Sequence, residues 1–331
     1  MSPPRSHHRK PDAQPASGPR RGWLRGAASR AALGVLGAQS ARAAARGPGD
    51  GAPPAVPLEG AAAPDAGLAR RLARTSDGVR LSVIEHGPSG PAATGGPTIV
   101  FLPGWCMPAS IWSGQIRHFG ERWPVMAVDP RGQGLSEVPS VGYTADRRAD
   151  DIRDLLGERR NVVLVGWSLG ALEALHYVHR HGSARLGALA LVDSSIGEPP
   201  VPPSGRGFQE ALRGGREQAI DGFIRAMFAR PPAPALVAQI RASALRMPLE
   251  SSLALLNYPL PREHWRAIVH AFDRPLAYLV TPQFREQSLN LRRARPAARI
   301  EVFESAGHAL FVDDAPRFNA VLGEWIDAGP A

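Results

Sequence analysis

The sequence predicts an α/β fold: a mostly parallel central sheet flanked by helices. Three observations carry this. Short, continuously apolar runs recur along the chain, each followed by a helical pattern, as expected of strands buried on both faces of a parallel sheet. One of these runs, Val162 to Val165, leads into Gly166-Trp167-Ser168-Leu169-Gly170 and at once into another helical pattern. The alternation breaks only once, over about residues 196–269, and then resumes to the C-terminus.

The first 43 residues stand apart. They hold seven arginines and Lys10 against Asp12 alone, so +7 of the chain's formal +9 lies there. What remains is close to neutral and shows no basic patch interleaved with aromatics, which argues against a nucleic-acid partner. Arg20-Arg21, a modest apolar stretch from Gly26 to Gln39 and the small-x-small site Ala41-Arg42-Ala43 are similar to a twin-arginine export signal. The expectation is an exported protein, periplasmic or secreted. The alternative is an arginine-rich extension without targeting value on a cytoplasmic protein. Residues 44–68, mostly Gly, Ala and Pro, read as a flexible linker, and residues 69–331 as the folded domain. No apolar run reaches the roughly 18 residues that a stable membrane span requires. The single cysteine, Cys106, excludes an intramolecular disulfide framework and any cysteine-rich metal site.

Within the domain, Val79 to Glu85 alternates as a strand and ends at His86-Gly87-Pro88. Thr98 to Leu102 is a buried-type strand. Pro103-Gly104-Trp105-Cys106-Met107 follows, then a helix over Ser110 to Phe119. Val125 to Val128 is the next strand, ending in Asp129-Pro130-Arg131-Gly132-Gln133-Gly134-Leu135-Ser136. There Asp129 and Arg131 are expected to fix the turn through hydrogen bonds and an ion pair. Thr144 to Glu158 is a helix with Ile152, Leu155 and Leu156 facing inward. Leu189 to Val192 is a strand ending at Asp193. The stretch from 196 to 269, rich in proline and in short amphipathic segments, reads as a helical cap that excludes water and offers an apolar wall to a substrate. Leu276 to Val280 is a strand, Arg285 to Arg293 a helix, Ile300 to Phe303 the last strand and Pro316 to Ile326 the terminal helix.

The chemistry concentrates at the strand–turn–helix around Ser168. A chain that passes from strand to helix within so few residues holds its tip residue in a strained conformation. Gly166 and Gly170 remove side chains that would clash where the helix crosses back over the strand. The Ser168 hydroxyl is then left at the top of the sheet, at a helix N-terminus, with the Leu169 N–H aimed at the same space. Gly104, just past a neighbouring strand, lets the backbone come close to a substrate, and the Trp105 N–H is the candidate second oxyanion donor. Cys106 reads as a small buried hydrophobe near the pocket wall. His176, His179 and His181 look like a metal cluster. No carboxylate or cysteine completes it, however, and the first and third share a helix face poorly, so no metal and no cofactor are expected.

Together, Leu102-Pro103-Gly104-Trp105, the segment from Asp129 to Ser136, Gly166-Trp167-Ser168-Leu169-Gly170 and Gly307-His308-Ala309 resemble, in order and spacing, the α/β-hydrolase superfamily. The likeness covers about residues 79–327 and is nearest to its single-domain esterase and cofactor-free haloperoxidase type. It departs in one place from the common His-Gly of the first motif, where Pro103 replaces His without removing the backbone donor. The resemblance implies a cap inserted after the sixth strand. It implies a serine hydrolase cleaving a small or medium, fairly apolar carboxylic ester through an acyl-enzyme, with Ser168 as nucleophile and His308 as base. Peroxide in place of water would give a perhydrolase or haloperoxidase-like activity. The acid is where the sequence departs from the family. The loop after the strand at 276–280, its usual place, reads Thr281-Pro282-Gln283-Phe284-Arg285-Glu286-Gln287 and lacks an aspartate. Asp193, at the end of the preceding strand, is the first candidate and Glu286 the second. With neither in place, the chain would be a degenerate hydrolase serving as a binding module. Trp167, Met107 and Phe311 are the candidates for the substrate pocket.

Overall fold

The computed structural model describes residues 64–88 and 96–329. The export-like leader, most of the expected linker and residues 89–95 lie outside the described residues. Linker character stops earlier than the sequence suggests. Asp65 already belongs to the folded body: its carboxylate takes hydrogen bonds from Arg70 Nε at 2.9 Å and from Gln239 at 3.1 Å.

Eight strands form one sheet in the order β1-β2-β4-β3-β5-β6-β7-β8. They are β1 Ala69–Arg74, β2 Arg80–His86, β3 Thr98–Leu102, β4 Val125–Val128, β5 Val162–Trp167, β6 Leu186–Val192, β7 Leu276–Val280 and β8 Arg299–Val302. The pairs β1–β2 and β2–β4 are antiparallel and all the others parallel. Strand β1 is the one strand absent from the sequence reading. Counting it, the cap follows the sixth strand.

The helices outside the cap are α1 Ser113–Gly120, α2 Ala145–Leu156 and α3 Leu169–His181. The cap holds α4 Arg206–Gly214, α5 Arg216–Met227, α6 Pro234–Arg246, α7 Leu249–Leu256 and α8 Arg262–Ala271. After it come α9 Arg285–Ala294, α10 Leu310–Asp313 and α11 Ala315–Asp327. The helix expected from Ser110 begins as a 3-10 turn, Ala109–Trp112, before α1. Thr144 caps α2, its hydroxyl accepting from the Arg147 N–H.

Alternate residues of the central strands feed two cores. Ile99 and Phe101 join Val163, Val165, Trp112 and Phe311 on one face of the sheet, while Val100 and Leu102 join Leu164, Leu172 and Tyr177 on the other. The cap packs onto the first of these through Ile220, Ile224, Ile240 and Leu253. The turn after β4 is fixed through hydrogen bonds as expected, but its two charges pair elsewhere. Asp129 takes hydrogen bonds from the Ala109 N–H at 2.6 Å and from Arg70 at 2.9 Å, while Arg131 pairs with Asp151 and Asp77. Each charge sits nearer to a partner on a neighbouring element than to the other.

Candidate active site

The chain order β3-β4-β5 against the spatial order β4-β3-β5 makes a topological switch between β3 and β5, the place where α/β sheets bind ligands beyond their strand ends. Leu102 pairs with Gly166 in that register, so the loops carrying Trp105 and Ser168 emerge side by side.

Ser168 has φ +55° and ψ −119°, outside the comfortable regions for a side-chain-bearing residue, and it caps the N-terminus of α3. The elbow closes because the glycines carry no Cβ. One built on Gly166 would lie 2.4 Å from Gly170 O, and one on Gly170 2.6 Å from both Leu102 O and Pro103 O. A Cβ on Gly104 would stand 3.2 Å from the Ser168 Cβ, so the β3 loop runs against the serine. Neither the Trp105 N–H nor the Leu169 N–H donates to another group among the described residues. Two free backbone donors thus flank the Ser168 region.

His308 is buried on the loop after β8. Its Nδ1 lies 2.7 Å from Asp193 Oδ2. Asp193 follows β6 with φ +41°, a second strained residue. Its other oxygen, Oδ1, accepts from the Thr281 N–H at 2.7 Å. The loop after β7 therefore contributes a backbone donor to Asp193 at the end of the neighbouring strand. Phe284 is buried, and Glu286 is exposed on α9. Of the two carboxylates left open by the sequence, Asp193 is the one that reaches the imidazole. Among the described residues no hydrogen bond joins the Ser168 hydroxyl to His308, whose Nε2 is left without a partner by the Nδ1 contact to Asp193.

Trp167, Phe311 and Met107 are all buried. The Trp167 ring lies 5.0 Å from that of His308, and its Nε1–H donates to His308 O at 2.8 Å. Phe311 is stacked on Trp112, centroids 3.6 Å apart. Trp167 thus holds the backbone of the His308 loop, a contact its sequence position did not signal. Burial pushes the Cys106 thiol up to about 12, so it stays a protonated thiol, in keeping with a buried hydrophobe. His181 bonds Asp150. His176 bonds Asp146 through Nε2 at 2.6 Å and His264 through Nδ1 at 3.0 Å. His176 and His181 thus bond different carboxylates, and the cap residue His264 that His176 bonds also lies against the His179 ring, centroids 4.7 Å apart.

Comparison with known proteins finds similar sequences and similar folds. The chain is 27% identical over 256 residues to a pimeloyl-[acyl-carrier protein] methyl ester esterase of Aeromonas hydrophila, which covers 70% of this chain and 96% of that one. It is 35% identical over 133 residues to the non-heme chloroperoxidase CPO-A1 of Kitasatospora aureofaciens, covering 39% and 45%. Among solved structures, an esterase from Exiguobacterium antarcticum superposes with a TM-score of 0.67 at 22% identity, covering 77% of this chain and 98% of that one. A bromoperoxidase from Bacillus anthracis superposes with 0.68 at 20%, covering 78% and 100%. Residues 99–321 match the sequence profile of the alpha/beta hydrolase family, to which this chain belongs.

Proposed function

We propose that the protein is a serine ester hydrolase acting on small to medium, fairly apolar carboxylic esters. The observation that carries this is the Asp193–His308 hydrogen bond beside a strained serine elbow. In the proposed cycle, His308 Nε2 takes the proton of Ser168 as Oγ attacks the ester carbonyl. The N–H groups of Trp105 and Leu169 hold the resulting oxyanion; losing one such donor typically costs about 3–4 kcal/mol of transition-state stabilisation. Collapse breaks the ester C–O bond, and His308 returns the proton to the departing alcohol. Water then attacks the acyl-Ser168 ester with His308 as base, releasing the acid and restoring the serine. Asp193 holds the imidazole with its proton on Nδ1, leaving Nε2 as the acceptor.

Relatives named as esterases support hydrolysis. The relatives named as non-heme haloperoxidases support a second reading on the same residues, in which hydrogen peroxide replaces water at the acyl-enzyme and a peracid leaves. The binding-module reading rested on the empty acid slot, and the Asp193–His308 bond weighs against it. A p-nitrophenyl ester series of increasing acyl length, run beside Ser168→Ala, tests the proposal. Turnover that vanishes in the variant is expected, and a variant keeping most of the rate would refute it. Acetate with peroxide and bromide tests the second reading.

We also propose export through the arginine-rich leader. N-terminal sequencing of the mature protein from the native host is expected to begin after Ala43, and an intact leader on all of the protein would overturn this.

A further inference from the structure

The loop that carries His308 is held from two sides. On the sheet side, Trp167 Nε1–H bonds His308 O at 2.8 Å. On the cap side, the Ala309 N–H bonds the carbonyl of Met227, the last residue of α5, at 3.0 Å. The Gly307 N–H bonds Asp313 Oδ2 at 2.7 Å, and that same oxygen accepts from the Ala229 N–H of the cap at 2.8 Å. The two backbones touch where they pass: a Cβ on Gly307 would lie 2.6 Å from Met227 O and 2.7 Å from Ala229 N. The Arg230 side chain adds a bond to Asp313 O at 2.7 Å.

One carboxylate oxygen on α10 thus joins the peptide just before the imidazole to the corner of the cap after α5. From this we infer that Asp313 is a positioning residue: it fastens the cap corner Met227–Arg230 to the His308 loop, so that the cap forms part of the mount of the base. Loss of the carboxylate leaves two N–H groups without an acceptor and frees both the corner and the loop. A base free to swing spends less time aligned with Ser168 and Asp193. The chemical step therefore slows, while substrate binding in the cap changes less. The same linkage makes the Met227 end of the cap the fixed end, so any opening that admits substrate takes place elsewhere along it.

The assignment rests on reading His308 as the base, and two readouts separate its failure from the failure of that reading. The first is kinetic. Asp313→Ala is expected to lower kcat at least tenfold with KM within about threefold of the parent. Asp313→Asn keeps one oxygen that accepts both bonds and is expected to retain at least a third of kcat. An alanine variant with parental kcat overturns the proposal. So does a folded asparagine variant whose kcat falls tenfold or more, an arm that serves even if the alanine protein does not fold. The second readout is amide hydrogen exchange, which needs no substrate. The Ala309 N–H bonds the cap and not Asp313, so its exchange rises at least tenfold in Asp313→Ala only if the carboxylate holds the corner in place. Unchanged protection at Ala309 refutes the clamp whatever the ester assay gives.

Discussion

Replacing Asp193 by asparagine changes a single group, and the structure dictates the outcome. Asp193 Oδ1 accepts from the Thr281 N–H, and Oδ2 faces His308 Nδ1. In the variant, the Thr281 N–H still requires an oxygen, which fixes the way the amide points. Its NH2 then faces His308. Two donors cannot share that contact, so the imidazole must offer a lone pair at Nδ1 and carry its proton on Nε2. That is the wrong tautomer for accepting the proton of Ser168. The same exchange of tautomer in a serine triad costs on the order of 10⁴ in kcat, or about 5.4 kcal/mol at roughly 1.36 kcal/mol per decade. The assay is steady-state hydrolysis of a p-nitrophenyl ester by the purified parent and Asp193→Asn, with circular dichroism to verify that both fold alike. A variant within tenfold of the parent would show that Asp193 does not orient the base.

Further predictions concern stability. Arg148 and Glu173 form a buried ion pair at 2.8 Å, with the Tyr258 hydroxyl donating to the same carboxylate, and burial pushes the Glu173 carboxyl up. Arg148→Met leaves that carboxyl buried without its cation and is expected to cost about 3–5 kcal/mol in urea unfolding; a loss under about 1 kcal/mol would refute the coupling. His264 is lowered to about 4, by burial first and then by the neighbouring His176 and His179, with Asp146 acting the other way. Because its folded value lies below the usual 6.5, the neutral ring favours the fold. That contribution is complete above pH 6.5 and is lost as the pH falls toward 4. His264→Gln should therefore lose less melting temperature than the parent between pH 7 and pH 4.5, and an equal loss would contradict this.

The central strands were legible because burial on both faces leaves only apolar residues in them, as in Thr98 to Leu102 and Leu276 to Val280. Strand β1 was not, because Ala-Arg-Arg-Leu-Ala-Arg is an edge strand whose arginines face solvent or ion pairs, and whose Leu72 is exposed. The elbow was legible because its glycines, its serine and its change of period are local in sequence. The acid was not settled by sequence, because the choice between Asp193 and Glu286 depends on which carboxylate the fold carries to a histidine more than 100 residues away from the first. The loop after β7 carries no mark of which carboxylate that is. Strand adjacency decides it: β6 lies beside β7, so the Thr281 N–H falls against Asp193. The cap was read as helical from its composition, but the ends of α4 to α8 were not, since prolines and short amphipathic turns punctuate the whole stretch. The roles of Trp167 Nε1 and Asp313 were invisible for a related reason: each acts on a backbone group of another segment, which leaves no pattern in the sequence.

In the proposed cycle Ser168 carries the acyl group. The most direct measurement mixes the protein with a slowly deacylated ester, quenches it with acid within the first turnover and reads the intact mass and the modified peptide. A gain of one acyl group is expected on the peptide containing Ser168, absent in Ser168→Ala. Turnover that proceeds with the acyl group on another residue, or with none on the protein at any time, would contradict it.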